Sequence, residues 1–248
     1  MKKILFVILV LFACANIFAQ NGVGAAKQHN CSGAGCDSVI VLMVPRGSSQ
    51  PVGEFEGIIL KDGWILTAAH NIRETYALNV DYLILYNFRD GGKVEQKRIE
   101  FPAYGRDLFV KPEFTATPKK NNNYTLRHIP HDIGLIKADG VKSSVAKKIK
   151  KINSSADVPT AGGYVYHFNA SQNREKISYS KKFEHAYSAY LSTAQNTSVM
   201  IGDSGSPLFS PEGEIMGVLS GLAAGKLNFT PLDNANISFI NATVNSKF

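Results

Sequence analysis

Apolar residues fall along this chain in short runs separated by turn-forming residues. Val39-Ile40-Val41-Leu42-Met43-Val44 is a continuous apolar run of strand length. Phe55-Glu56-Gly57-Ile58-Ile59-Leu60 and Trp64-Ile65-Leu66-Thr67 follow, and Lys61-Asp62-Gly63 between them predicts a tight hairpin turn. Tyr82-Leu83-Ile84-Leu85-Tyr86 and Arg98-Ile99-Glu100-Phe101 predict further strands around Arg89-Asp90-Gly91-Gly92. The stretch from Lys176 to Thr193, rich in Tyr, Ser and Phe, predicts two more. Thr197 to Ile201 and Leu208-Phe209 predict buried strands on either side of a sharp turn. Helical expectations are few: a short turn at Asn71-Ile72-Arg73 and a closing helix from Asn236 to Lys247.

Composition changes this picture mainly at the N-terminus. With 248 residues, 44% hydrophobic and 19% charged, the chain has room for one large domain or two small ones around a real core. Lys2-Lys3, then the apolar run Ile4 to Phe12, then Ala13, Ala15 and Ala19, predict a secretory signal peptide over residues 1–19, cut after Ala15 or Ala19. Leu11-Phe12-Ala13-Cys14 also has a loose likeness to a lipoprotein cleavage site, which would place lipid on Cys14 and tie the chain to a membrane. Export to a secreted or periplasmic location is the expectation. The net charge of +7 falls by two when Lys2 and Lys3 leave, and the remainder is spread out. Cys31 and Cys36 remain after export, and a cysteine pair in an oxidising compartment predicts a disulfide. A metal site is the alternative, but no second pair supports it. Residues 20–38 are small and polar and read as a flexible leader.

The candidate chemistry centres on Ile201-Gly202-Asp203-Ser204-Gly205-Ser206-Pro207. Gly202, Gly205 and Pro207 exclude regular structure, so the turn presents Ser204 at the edge of a packed β structure. Its N–H groups from Gly202 to Ser204 are free to converge on one point, as an oxyanion hole requires. A serine needs a base, and the base needs a group to hold it. His70 ends the run Thr67-Ala68-Ala69-His70, and Asp132 opens Asp132-Ile133-Gly134-Leu135-Ile136-Lys137. The order His, Asp, Ser is one of those known for this triad.

TAAH, DIGLIK and GDSGSP together resemble the chymotrypsin-like (trypsin-like) serine proteases, on the bacterial, glutamyl-endopeptidase-like branch. The resemblance covers His70 to Pro207 strongly and extends weakly from Val39 to the C-terminus; Val110-Lys111-Pro112-Glu113-Phe114 is similar to the family's segment ahead of the triad acid. It implies an all-β fold of two antiparallel six-stranded β-barrels, residues 39–145 and 146–248, with the active site in the cleft between them. The second part includes the linker and a short C-terminal helix. It implies peptide-bond hydrolysis through an acyl-enzyme, with Ser204 as nucleophile, His70 as base, Asp132 as its orienting acid, and Gly202 and Ser204 N–H groups as the oxyanion hole. Asp203 matches the acid that props up this turn, although the I-V-G-G sequence whose new amine it binds in trypsin-like zymogens does not occur here. Ser198, six before the nucleophile, matches the floor of the substrate pocket, and Ser220, Gly221 and Leu222 match its wall. Ser198 carries no charge and Leu222 is bulky, so the resemblance implies small or medium uncharged residues before the scissile bond. No cofactor is required, and a monomer acting on protein or peptide substrates is expected. A secreted binding protein on an inactive protease scaffold is the alternative.

Other features carry less. Lys142, Lys147, Lys148, Lys150 and Lys151 form a basic run without interleaved aromatic residues, so it reads as a solvated linker rather than a nucleic-acid surface. His128 and His131 form an H-x-x-H pair without a third ligand or a helix to carry it, and read as structural, not as a metal site.

Overall fold

Every residue of Ser38–Val44 is buried, because this strand carries apolar side chains on both faces and packs on both. It is an interior strand, third of seven, in the first of two antiparallel sheets in the computed structural model, which describes residues 33–245 apart from 90–91, 118, 120–123, 161, 169–173, 180–183, 187–189, 195–201 and 224–225. The first half runs β1 (Ser38–Pro45), β2 (Gly53–Lys61), β3 (Trp64–Thr67), α1 (Ala69–Ala77), β4 (Val80–Arg89), β5 (Gly92–Glu100), β6 (Leu108–Val110), α2 (Pro112–Ala116) and β7 (Gly134–Lys137). Its strands pair in the order β5-β4-β1-β2-β3-β7-β6. The second half runs β8 (Gly163–Phe168), β9 (Arg174–Tyr179), β10 (Glu184–Ala186), β11 (Tyr190–Ala194), β12 (Pro207–Phe209), β13 (Ile215–Ala223), β14 (Lys226–Pro231) and α3 (Asn234–Val244). Its order is β10-β11-β14-β13-β12-β8-β9. The architecture is the two-barrel, mostly β arrangement expected, each sheet having seven strands when the three-residue β6 and β10 are counted.

Of the four hydrophobic clusters among the described residues, three fill the halves and the space between them. Val39, Val41, Met43, Phe55, Leu83 and Leu85 fill the first half, and Val165, Leu208, Met216, Leu219 and Phe229 the second. Between them Ile58, Leu66, Ile133 and Leu135 of the first sheet pack with Phe209, Ile215 and Val218 of the second and Ile237, Ile240 and Val244 of α3. That shared core fixes one half against the other, as a site built from both requires.

Several local expectations change. Asn71-Ile72-Arg73 is not a short turn but part of the nine-residue α1, whose buried stripe is only Ala69, Asn71, Ile72 and Thr75; two of those four are polar, so the stripe is hard to see in the sequence. The stretch Lys176 to Thr193 contributes to three strands rather than two, and the segment after Val110 becomes α2 with Pro112 in its first turn. Neither the leader nor the linker is loose throughout. From Gly33 the chain forms a 3-10 turn, Gly33–Asp37. A side chain at Gly35 would place its Cβ 2.1 Å from the Tyr166 ring of the second half, so only glycine lets the turn lie this close. The side chain of Lys147 is fully buried and ion-paired with the equally buried Asp37. Ser143 Oγ (2.9 Å) and the Ser144 N–H (2.9 Å) also donate to that carboxylate. Cys31, the strand expected at Thr197 to Ile201, and most of residues 118–124 lie outside the described residues.

Candidate active site

His70 lies in the first turn of α1, where main-chain N–H groups lack helical partners. Asp132 supplies one: its Oδ1 accepts the His70 N–H at 2.9 Å, and its Oδ2 accepts from the ring Nδ1 at 2.8 Å. The same carboxylate therefore holds both the backbone and the ring of one residue. With Nδ1 protonated toward Asp132, Nε2 is left as the basic nitrogen. Burial pushes the imidazole pKa down, but the charge and hydrogen bond of Asp132 outweigh it, with help from Glu74, and His70 sits above the ordinary histidine value. Asp132 is itself 2% exposed, and a third donor, Ser220 Oγ, reaches its Oδ2 at 2.5 Å. Ser220 was expected in the substrate pocket; it lines the cleft and also ties β13 of the second half to the acid of the first.

The 3-10 turn Ile129–His131 delivers Asp132, and the second half braces it. Thr230 Oγ1 donates to Ile129 O at 2.6 Å, and Asn236 Nδ2 donates to Pro130 O at 3.1 Å. Asn236 Oδ1 in turn accepts from the buried Lys111 Nζ at 2.6 Å, and burial holds that amine below the usual lysine value despite Asp233 and Glu113. His128 is buried with Nδ1 accepting the Thr125 N–H (3.0 Å) and Nε2 facing Thr117 O (3.1 Å), the bonding of a structural histidine. Burial first, then Lys111, keep His131 below its ordinary value.

Ser204 comes from the turn before β12. Its carbonyl is fixed from the first half by two donors, the Glu56 N–H at 2.9 Å and Asn71 Nδ2 at 2.9 Å. Gly205 is seated still more closely: a Cβ there would fall 1.9 Å from Glu56 O and 2.3 Å from Thr67 Oγ1, and its φ of 97° is left-handed. The Gly205 N–H donates to Leu219 O and the Ser206 N–H to Asp203 O. The N–H groups of Gly202 and Ser204, in contrast, find no acceptor among the described residues, which leaves both available to a developing negative oxygen. Asp203 is buried, and Ser206 Oγ bridges Asp203 O and the buried Glu56 carboxylate, both at 2.6 Å. Ser204 Oγ and His70 Nε2 make no hydrogen bond here.

An open cleft of about 490 Å³ adjoins His70 and Asp132, lined by Tyr124, Leu126, Ile129, Ser220, Gly221 and Leu222 among others. Gly221 and Leu222, expected in the substrate pocket, line this cleft; Ser198 lies outside the described residues. A family model described as a trypsin-like peptidase domain matches residues 56–218, which include His70, Asp132 and Ser204. The chain belongs to the trypsin-like peptidase family.

No curated protein matches this peptidase in sequence. Solved structures share its fold at low identity. A Glu endopeptidase, solved in complex with MPD, is similar at 14% identity and a TM-score of 0.59, covering 91% of this chain and 98% of that one. A thermostable serine protease AL20 from an extremophilic microorganism is similar at 13% and 0.60, covering 86% and 99%. The protease Anisep from Arthrobacter nicotinovorans is similar at 13% and 0.58, covering 85% and 96%. Fold and family together support a serine protease hydrolase. Of the residues that matter to the site's geometry, Thr67 and Ser206 fall within the TAAH and GDSGSP motifs without a role assigned to them there, Asn71 is marked only by adjacency to His70, and Glu56 had no distinct signal in the sequence.

Proposed function

We propose that this trypsin-like peptidase is a secreted serine endopeptidase that cuts peptide bonds through an acyl-enzyme, with His70, Asp132 and Ser204 as its triad. The observation that carries the reading is the double grip of Asp132 on His70, which leaves Nε2 as the basic nitrogen. Ser204 Oγ attacks the scissile carbonyl carbon while His70 Nε2 takes its proton. Asp132 stabilises the imidazolium so formed. The carbonyl oxygen becomes an oxyanion held by the Gly202 and Ser204 N–H groups. Collapse breaks the C–N bond, and His70 returns the proton to the departing amine. Water then attacks the ester with His70 again as base, releasing the acid and restoring Ser204. Apart from substrate and water, every group in these steps belongs to the chain. Labelling of Ser204 by a fluorophosphonate tests this against the inactive-scaffold alternative, since only an activated serine reacts; a protein that resists labelling would be a binding scaffold.

The raised pKa of His70 sets the direction of the pH dependence. The base works only when neutral, so activity is present above the His70 pKa and is lost as pH falls through it. The acid limb of kcat/KM is expected above the ordinary histidine value of about 6.5. Asp132→Asn removes the raising influence and leaves the burial that lowers it, so the limb should move to lower pH. It should also lose about four powers of ten in kcat, as in another protease with this triad. An unmoved limb in that variant would show that another group controls the rate.

Substrate preference is proposed from the cleft wall. Leu222 projects at its edge, 55% exposed, where a smaller residue would leave more room, and Ser198 offers no charge for a pocket floor. Small or medium uncharged residues such as Ala, Val or Leu before the scissile bond are expected to be cut faster than Arg, Lys or Glu in matched peptides; the reverse order would refute it. Export, a monomeric state and a Cys31–Cys36 disulfide complete the proposal. Intact mass and N-terminal sequencing of the exported protein read the cleavage point, any lipid on Cys14 and the loss of two hydrogens together; two free thiols would refute the pairing.

A further inference from the structure

Asn71 follows the proposed base in sequence and touches the proposed nucleophile in space, yet the reaction above gives it no role. It is 3% exposed, in the first turn of α1. Asparagine is a poor choice for a helix interior on propensity alone, and a buried carboxamide must find partners or cost stability. Here its Nδ2 has two, Ser204 O at 2.9 Å and Thr67 Oγ1 at 3.1 Å. Thr67 Oγ1 is free to accept because it donates its own proton to Glu56 O at 2.6 Å. Glu56 then closes the ring by donating its N–H to Ser204 O at 2.9 Å. The ring links β2, β3 and α1 of the first half to the serine turn of the second, and Gly205 fills the space inside it with no room for a methyl group.

We propose that Asn71 is a positioning residue for Ser204: its carboxamide ties the nucleophile's own carbonyl to the helix turn that carries His70, and so sets the spacing of nucleophile and base across the two halves. This rests on the serine-protease reading and extends it. The two side chains proposed to react belong to different halves, and the shared apolar core alone is non-directional; a hydrogen bond from the residue after His70 to the backbone of Ser204 supplies direction. Its geometry also explains the residue type. The amide donates twice from one nitrogen, to a carbonyl and to a hydroxyl, which a carboxylate of the same shape does not do.

The test compares Asn71→Ala, Asn71→Asp and, as a control on the same helix, Ile72→Val. Ile72 is a fully buried core residue with no part in the ring. Both Asn71 variants are expected to lose about 10- to 100-fold in kcat with KM little changed, the scale of a small misplacement of reacting groups. Asn71→Asp should lose at least as much as Asn71→Ala, since it keeps the shape but turns an acceptor toward Ser204 O. Ile72→Val should keep wild-type kcat per folded molecule. Amide hydrogen exchange gives a second readout that needs no turnover: the N–H groups of Glu56, Gly205 and Ser206 should exchange faster in both Asn71 variants and not in Ile72→Val. Wild-type kcat in Asn71→Asp, or unchanged exchange at these amides, would overturn the proposal. A wild-type protein that neither cleaves peptides nor takes a fluorophosphonate would remove the serine-protease reading, while the exchange result would still decide whether Asn71 ties the turn.

Discussion

Ser204→Ala is expected to lower turnover by roughly six powers of ten, the scale found when the nucleophile of another triad protease is removed. The fold should survive intact. The Ser204 hydroxyl makes no hydrogen bond among the described residues, and what seats the turn is backbone: the Ser204 carbonyl with its donors from Glu56 and Asn71, and the close fit of Gly205. Alanine keeps all of these. Melting temperature and circular dichroism should therefore match wild type while peptide hydrolysis and fluorophosphonate labelling both vanish. His70→Ala should be about as damaging, because nucleophile and base act as one unit. Hydrolysis by purified Ser204→Ala protein at a rate comparable to wild type would sink the assignment of the nucleophile.

The residues proposed to react stand out in the sequence because their spacing from turn signals is local. TAAH ends a strand, DIGLIK begins one, and GDSGSP cannot be anything but a turn, so each motif announces its own position. The strands were legible for the same reason, since apolar runs of strand length between Gly and Asp clusters need no tertiary information. What holds the reacting groups together was not. The Ser220 hydroxyl lies 88 residues from Asp132 in sequence and Asn71 lies 133 from Ser204, and nothing in local pattern couples them. Buried polar residues are poorly signalled in general, because a Thr, Asn or Glu reads as surface until its partner is known. Glu56 shows this: in the run Phe55 to Leu60 it breaks an apolar pattern and suggests an outward face, yet it is 3% exposed with its carboxylate on Ser206. Lys147 misleads in the same way. Set among four other lysines it reads as solvated, and only the position of Asp37, 110 residues earlier, shows that it is an interior cation.

That interior pair makes the second large prediction. Asp37→Ala is expected to destabilise the protein by about 3–5 kcal/mol, the usual cost of stripping one partner from a buried ion pair. Asp37 and Lys147 both have side chains with no exposure, so solvent cannot replace the missing carboxylate. Lys147 would keep Ser143 Oγ at 2.9 Å and Val145 O at 2.7 Å, but neither carries a charge. Burial already holds its pKa below the lysine norm with Asp37 pulling it up; without Asp37 the amine would have to bury its charge alone or give up its proton. For a chain of this size each kcal/mol moves the melting temperature by about 2–4 °C, so a fall of about 6–20 °C should appear in a thermal scan. The double variant Asp37→Ala, Lys147→Met should recover much of it, since removing both charges removes the unpaired one. Activity per folded molecule should hold in both, because the pair joins the 3-10 turn before β1 to the linker and touches none of the cleft residues. A melting temperature within 2 °C of wild type in Asp37→Ala, by the same conversion, would mean that water reaches Lys147 in solution and that the turn at Gly33–Asp37 is not held by this pair.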